Sequence, residues 1–225
     1  MSPRLLFADP ASAADAVTFA GRAARFTVEG VRLQASGGVL AMTAAPLAPR
    51  GLGDATPTVL AMRTLAADPE LVCDLVVEAS ALAVDAEDAR AVTLPETALS
   101  PAWAGIAPPR SGWEARPGIE ASTLAAKAQG GIVRVADAVP TDAGEDVVRT
   151  VRAAVWGAPD EELAGLPLGV AFAALSLGFI SGGETARVFA SGPWTRISLT
   201  RGHVLVRGPL VSGLTAVRRT GSAPS

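Results

Sequence analysis

The chain has 225 residues, enough for one large domain or two small ones, with a formal net charge of −3 and 49% hydrophobic residues. It holds no tyrosine and a single histidine, cysteine and lysine, which are His203, Cys73 and Lys127. This scarcity excludes a zinc site of histidines and cysteines, an internal disulfide and a Gly-Lys phosphate-binding loop, so no metal and no cofactor are expected.

The first predicted elements are a helix and a hairpin. Residues 12–25 are predicted to form a helix with Ser12 as its N-cap. A two-residue turn at Gly37–Gly38 then pairs Ala35 with Leu40, which places alternating apolar side chains of both strands on one face. This pattern predicts an antiparallel hairpin.

Three more strands are predicted before residue 95, at 58–65, 70–84 and 90–94. Apolar and polar side chains alternate along the second strand, which places Cys73 on its buried side as an inert thiol. Short links between these strands favour an antiparallel sheet. Residues 1–95 are therefore predicted to be a β-rich part with one N-terminal helix.

A proline-rich segment, residues 96–117, is predicted to connect this part to the rest of the chain. Its prolines exclude regular structure over most of its length. We expect Trp103 and Trp113 to hold the segment against the body of the protein. Loops of this length are sometimes functional, as lids or binding loops.

Residues 118–219 are predicted to contain helices followed by a β-meander, either as a second domain or in one composite domain with the first part, and residues 220–225 to be a disordered tail. The helices are expected at about 117–139, 143–156 and 167–180. The third helix is uncharged and almost wholly apolar, but it is too short to cross a membrane. It is therefore predicted to be a buried core helix, and no membrane association is expected.

The meander is predicted to consist of strands at 186–190, 194–200, 203–207 and 210–217. A two-residue turn at Arg201–Gly202 would place Arg196 directly opposite Arg207, with Trp194 on the same side. The predicted fold class is α+β, with an N-terminal mostly antiparallel sheet, central helices and a C-terminal β-hairpin or meander.

This hairpin is the predicted binding site, made of Trp194, Arg196, His203 and Arg207. Beyond Glu184 the chain has six arginines and no acidic residue. Two arginines opposite each other destabilise a sheet unless an anion lies between them. The alternative interpretation is that the basic end neutralises the acidic remainder, within the fold or across a dimer.

These observations favour a non-catalytic, cytoplasmic binding or interaction protein that recognises an anionic group with its C-terminal arginine-bearing hairpin. The N-terminus lacks the apolar stretch of a signal peptide, which favours the cytoplasm. The predicted partners are a second copy of the chain, in a homo-oligomer, and an anionic small molecule.

Two alternatives remain open from the sequence. One is a metal-independent enzyme that acts on a small molecule with carboxylates and arginines beneath the 96–117 segment. The other is a winged-helix-like DNA-binding protein, because short helices at about 143–156, 160–165 and 167–180 precede a basic hairpin. The third helix has no charge, whereas a recognition helix needs polar side chains, so nucleic acid is not expected as a partner.

Overall fold

The computed structural model describes residues 4–27, 29–51 and 53–208. The described residues are 31% helical and 34% strand, with one large antiparallel sheet. This confirms the predicted α+β class. The predicted strand at 210–217 and the predicted disordered tail lie outside the described residues.

The described residues form four helices and thirteen strands. The helices are α1 (Pro10–Ala23), α2 (Ala121–Ala138), α3 (Glu145–Gly157) and α4 (Gly169–Ser176). The strands are β1 (Arg4–Leu6), β2 (Val31–Ser36), β3 (Val39–Leu47), β4 (Thr58–Ala66), β5 (Cys73–Val77), β6 (Ala83–Val84), β7 (Ala91–Thr93), β8 (Glu114–Glu120), β9 (Pro159–Asp160), β10 (Leu166–Pro167), β11 (Thr185–Ser191), β12 (Trp194–Leu199) and β13 (Gly202–Arg207).

The large sheet has eight strands in the order β5-β2-β3-β4-β13-β12-β11-β8. In each half of this sheet a helical segment precedes a three-stranded meander, β2-β3-β4 in the first and β11-β12-β13 in the second. The edge strand β5 follows its meander in the chain, whereas the edge strand β8 precedes the helices and meander of the second half. The halves meet where β4 and β13 pair antiparallel, with Ala61 opposite Val204. The two halves therefore share a continuous sheet.

The helices pack on one face of this sheet, and a continuous apolar core lies between the helices and the sheet. That core includes residues from both halves, such as Phe19 and Leu33 in the first and Trp156 and Ile197 in the second. The division of the chain into separate domains stays a prediction.

The opposite face of the sheet is partly covered by the segment between β7 and β8. Trp103 is buried there and packs with Leu60 and Leu205 in a second apolar cluster. Arg32 links the segment to the sheet. Its Nη1 donates a hydrogen bond to the Ala104 carbonyl at 2.7 Å, and its Nε and Nη2 donate to the Asp74 carboxylate.

Helix α1 begins earlier than the sequence predicted. Asp9 is the N-cap, and its Oδ1 accepts a hydrogen bond from the Ser12 backbone N–H at 2.7 Å. Pro10 occupies the first turn, where no N–H is needed. The prediction of Ser12 as the N-cap is therefore wrong.

The predicted hairpin between β2 and β3 is confirmed in its register, since Ala35 faces Leu40 and Leu33 faces Met42. Its turn residues Gly37 and Gly38 both have positive φ, 59° and 80°. A two-residue turn of this kind requires that geometry, which glycine adopts without strain.

The single long strand predicted for residues 70–84 is wrong. Only β5 joins the large sheet; the chain then forms a 3₁₀ turn at Ala79–Ala81 and continues as β6. β6 belongs to a separate three-stranded sheet of order β1-β7-β6. Cys73 is half-buried rather than fully buried, and burial raises the pKa of its thiol.

The proline-rich segment is shorter than predicted, because β8 begins at Glu114 and contains Pro117. A proline fits here because β8 is an edge strand, and the ladder between β8 and β11 is irregular between Ala186 and Val188. The segment also contains a 3₁₀ turn at Ala102–Gly105.

The apolar third helix is the core helix that the sequence predicted, although it is shorter. Helix α4 has five fully buried residues and packs on α2 and the central strands. No helix among the described residues is long and apolar enough to cross a membrane.

The β12–β13 register differs from the prediction by two residues. Leu199 pairs with Gly202, Ile197 with Val204 and Arg196 with Leu205. A shift of two keeps each side chain on its predicted face. It also places Trp194, not Arg196, opposite Arg207, so the predicted arginine pair does not form.

Candidate functional site

The four residues predicted from the sequence do share one face of the sheet, the face opposite the helices. On β12 and β13 this face carries Trp194, Arg196 and Ser198 beside Arg207, Leu205 and His203. The structure thus brings the predicted residues together, but in a different pairing and with different exposures.

Arg196 lies between two aromatic rings. Its guanidinium carbon is 4.7 Å from the ring centre of Trp113 and 4.8 Å from that of Phe189. Both rings are half-buried, and the Trp113 Nε1 donates to the Pro109 carbonyl at 3.1 Å. The aromatic faces attract and orient the cation.

Arg187 adds a second positive charge to the same face. It is exposed on β11 and pairs with Ser198, one diagonal step from Arg196. Burial, and then the charge of Arg187, lower the pKa of Arg196. Arg187, Arg196, Trp113 and Phe189 are hereafter called the arginine–aromatic face.

No carboxylate neutralises these charges among the described residues. None of the ion pairs among the described residues includes Arg187, Arg196 or Arg207. The Nε atoms of Arg196 and Arg207 are buried without a hydrogen-bond partner. Uncompensated positive charge concentrated on one face favours an anionic partner.

His203 lies beside this face. Its Nδ1 is 3.0 Å from the Ser198 hydroxyl, and Ser198 is only 5% exposed. Burial, Arg196 and Arg187 together lower the pKa of His203 from 6.5. The ring is therefore neutral at pH 7.

Trp194 has no open ring face, because it is 5% exposed and packs with Leu205 and Trp103. Sequence reasoning instead missed Arg187 and Phe189. They are two residues apart in a predicted strand, and this spacing alone places them on the same face. No spacing pattern in the sequence predicts the contact of Trp113 with Arg196.

The described residues contain no group of three or more histidine, cysteine, aspartate or glutamate side chains that could hold a metal ion. In the acidic turn after β6, Asp85 accepts backbone hydrogen bonds from Glu87 and Asp88 at 2.8 and 3.2 Å. The only lysine, Lys127, forms ion pairs with Asp160 and Glu162 at 3.0 and 2.7 Å.

A second feature is a cleft of about 570 Å³, which is within the usual size of ligand pockets. It is bounded by residues 24–27 after α1, the irregular end of β3, the side chains of Arg50, Asp54 and Thr56, and helix α3. We call it the α3 cleft.

Two family models match the chain, and they divide it at the segment between β7 and β8. A domain of unknown function (DUF8010) matches residues 1–105, and a second domain of unknown function (DUF8185) matches residues 108–211. Each covers a little under half of the chain. None of the curated proteins matches it.

Several solved structures are similar to this chain at low identity. One is the DNA polymerase III β subunit of Caulobacter crescentus, with 13% identity, a TM-score of 0.46, and coverage of 100% of this chain and 68% of that one. Another is the DNA polymerase III β subunit of Thermotoga maritima, with 12% identity, a TM-score of 0.46, and coverage of 92% and 65%. The DNA polymerase sliding clamp of Bacillus subtilis has 11% identity, a TM-score of 0.43, and coverage of 100% and 67%.

These findings correct the predicted function and partners. The prediction of a protein that binds an anionic small molecule with its C-terminal hairpin is wrong, because Arg196 and Arg207 are not opposed and the similar solved structures are DNA polymerase sliding clamps. The prediction that nucleic acid is not a partner is wrong because the similar solved structures are DNA polymerase sliding clamps.

The winged-helix alternative is corrected as well. It is wrong because α4 is buried in the core, where it cannot enter a DNA groove. Beneath the 96–117 segment, Trp103 and Leu99 pack with apolar side chains of the sheet, and the enzyme alternative stays a prediction.

Proposed function

We propose that the protein is a DNA-associated binding protein whose arginine–aromatic face contacts the sugar-phosphate backbone. The observation that carries this proposal is the juxtaposition of Arg187 and Arg196 on one sheet face, with no ion pair to either among the described residues.

The chemistry of the face suits a phosphate backbone. Guanidinium groups bind phosphate oxygens through several N–H donors at once. Proteins that bind nucleic acid without sequence preference combine such charges with aromatic rings. Trp113 and Phe189 hold the Arg196 guanidinium in place, so less side-chain entropy is lost on binding.

The position of the face within the fold also supports the proposal. It lies on β11 and β12, on the side of the sheet that the helices leave open. Its backbone is fixed by strand pairing on both sides of β12, which makes it a rigid platform. Whether Trp194, His203 and Arg207 contribute to binding stays a prediction.

The test is fluorescence anisotropy with a labelled DNA single strand of about 20 nucleotides and the matching duplex, measured at several salt concentrations. We expect binding at low salt that weakens as salt is added. In the double variant Arg187→Gln/Arg196→Gln, affinity should fall at least about tenfold, and the slope of log K against log salt should decrease by about 2.

The matched control is Arg4→Gln/Arg90→Gln, which also removes two positive charges but changes arginines that have carboxylate partners, Asp85 and Asp88. Because Arg196 is packed between rings, the single exposed variant Arg187→Gln is measured as well. Absence of DNA binding at low salt, or equal losses in both double variants, would contradict the proposal.

The cytoplasmic location and the homo-oligomeric state predicted from the sequence are part of the proposal. The mass measured by light scattering tests the oligomeric state, and cell fractionation tests the location. A monomeric mass across a wide concentration range would remove the homo-oligomer from the proposal.

A further inference from the structure

His203 lies on the same face of the sheet as Arg187 and Arg196. Strand pairing places His203 opposite Ser198, and Ser198 in turn pairs with Arg187 on β11. Arg196 lies two positions before Ser198 on β12, so its side chain is a diagonal neighbour of His203 on that face. The only histidine of the chain therefore lies beside both arginines of the arginine–aromatic face.

The two ring nitrogens of His203 have different surroundings. Nδ1 is 3.0 Å from the Ser198 hydroxyl, and this contact orients the ring. Nε2 has no hydrogen-bond partner among the described residues, and it is not fully buried. It is therefore accessible from the open side of the sheet. A protonated ring would donate from both nitrogens, to Ser198 and to an anionic oxygen at the same time.

The remaining neighbours of the ring leave its charge uncompensated. On β4 the residue opposite His203 is Met62, which packs against the apolar cluster that contains Trp103 of the segment between β7 and β8. At the end of β12, Thr200 donates its backbone N–H and its hydroxyl to the Glu184 carboxylate, each at 2.8 Å. The charges that act on the ring are those of the two arginines, and both are positive.

The protonated ring is disfavoured in the free protein and would be favoured beside a phosphate. Burial, and then the charges of Arg196 and Arg187, lower the pKa of His203 from its ordinary value of 6.5. A phosphate group placed against these arginines would bring negative charge close to the ring, so the pKa of His203 would rise. By linkage, the same phosphate then binds more tightly to the protonated protein than to the neutral one.

We propose that His203 is a third contact for the DNA backbone, which donates from Nε2 to a phosphate oxygen when its ring is protonated, so that DNA binds more tightly in mildly acidic than in neutral solution. This inference rests on the proposed function, because it assumes that the arginine–aromatic face contacts DNA. It adds a binding residue and a dependence on proton uptake. Strand pairing holds His203 and both arginines in place, so protonation needs no rearrangement of the backbone.

The first measurement follows the histidine itself. Because the chain has one histidine, a tag-free sample gives a single imidazole Cε1–H resonance in its NMR spectrum. The chemical shift is recorded against pH for the free protein and for the protein saturated with a DNA single strand of about 20 nucleotides. We expect the pKa of His203 to lie below 6.5 in the free protein and to rise by about one pH unit with DNA.

The second measurement is the affinity for the same labelled strand, by anisotropy at constant low salt from about pH 7.5 to about pH 5. A pKa rise of one unit makes binding about tenfold tighter once the ring is fully protonated. Across this interval the ratio of the wild-type to the His203→Gln association constant should therefore increase at least about threefold. Carboxylates titrate in both proteins, so the ratio isolates the histidine.

A matched pair of arginine variants tests the electrostatic effect without DNA. Arg187→Gln removes an exposed charge that lowers the pKa of His203, so this pKa should be higher in the free variant than in wild type. Arg134→Gln removes an exposed arginine of α2, on the side of the sheet that carries the helices, and should leave the pKa unchanged. An equal pKa in wild type and Arg187→Gln would overturn the inference.

The results distinguish this inference from the proposed function. If DNA binds but leaves the pKa of His203 unchanged or lowers it, or if wild type and His203→Gln bind with the same pH dependence, the inference is wrong and the proposed DNA contact stands. Absence of DNA binding at every pH would contradict the proposed function and the inference with it. The NMR titration requires only the wild-type protein, so it decides the matter even if His203→Gln fails to fold.

Discussion

At the scale of single residues, the pKa of His203 depends on burial and on the charge of its surroundings. Burial and the two nearby arginines, Arg196 and Arg187, disfavour the protonated ring. The folded protein therefore gives up its histidine proton at a lower pH than the unfolded chain does. This difference connects the arginine–aromatic face to stability.

His203 should make stability pH-dependent below its ordinary pKa of 6.5. Between its lowered folded pKa and 6.5, the unfolded chain binds a proton that the folded chain does not, so the free energy of unfolding falls as pH decreases. The slope is at most about 1.4 kcal/mol per pH unit for one proton. Urea titrations of wild type and His203→Gln from pH 7 to 5 measure it.

The variant should lose less stability than wild type over that interval. Ser198→Ala, which removes the hydroxyl beside the ring but keeps the imidazole, is the matched control and should retain the slope. Identical slopes in wild type and His203→Gln would show that the histidine does not titrate differently on folding.

At the scale of elements, helix α2 has two adjacent glycines in different surroundings. Gly130 is exposed, and a Cβ atom added there would have no neighbour within 4 Å, whereas at Gly131 a Cβ atom would overlap the Trp156 ring. Trp156 stacks on Phe172 with 4.5 Å between ring centres, so it has little room to move. Gly131 therefore allows α2 to approach α3 closely.

Replacing each glycine by alanine should have opposite effects. Gly130→Ala should raise the free energy of unfolding by up to about 1 kcal/mol, because alanine favours a helix. Gly131→Ala should lower it by about 1–3 kcal/mol through overpacking. Urea titrations of the two variants measure the difference, and a Gly131→Ala variant as stable as Gly130→Ala would contradict the packing described above.

Local patterns predicted some elements well and others poorly. The β2–β3 hairpin followed from its Gly-Gly turn and its alternating side chains. The β12–β13 turn did not, because Gly202 lies within β13, where the ring of Phe179 packs against it. Glu184 accepts the Thr200 backbone N–H at 2.8 Å and so fixes the turn at Thr200–Arg201. These are tertiary contacts, which a local reading of the sequence cannot supply.

The candidate site was predictable to a similar extent. Strand alternation placed Arg196, Trp194 and Arg207 on one face, and the two-residue shift in register preserved that. The ring of Trp113 reaches Arg196 from a segment about 80 positions earlier in the chain, and such a contact has no periodic signal. The α3 cleft depends on the packing of α3 over β3 and was missed for the same reason.

At the scale of the whole molecule, the pairing of β4 with β13 joins the two halves. Five residue pairs connect these strands, from Thr58–Arg207 to Met62–His203. The apolar core beneath them contains side chains of both halves. Separating the halves would expose an unpaired strand and part of the core on each side.

We therefore expect residues 1–105 and 106–225, expressed separately, to be largely unfolded and the intact chain to unfold in one cooperative transition. Circular dichroism and amide chemical-shift dispersion of each fragment measure this. Mixing the two fragments should restore part of the native signal. A fragment that unfolds cooperatively by itself would show that its half is an independent domain.

The sheet ends at β8, and Pro117 influences what can happen at that border. A strand from another chain that paired with β8 would find no backbone N–H donor at Pro117. The ladder between β8 and β11 is also irregular next to Ala186. Growth of the sheet into a fibril from this side is thereby discouraged. If copies of the chain associate, their contact on this side must depend on side chains rather than on shared backbone ladders.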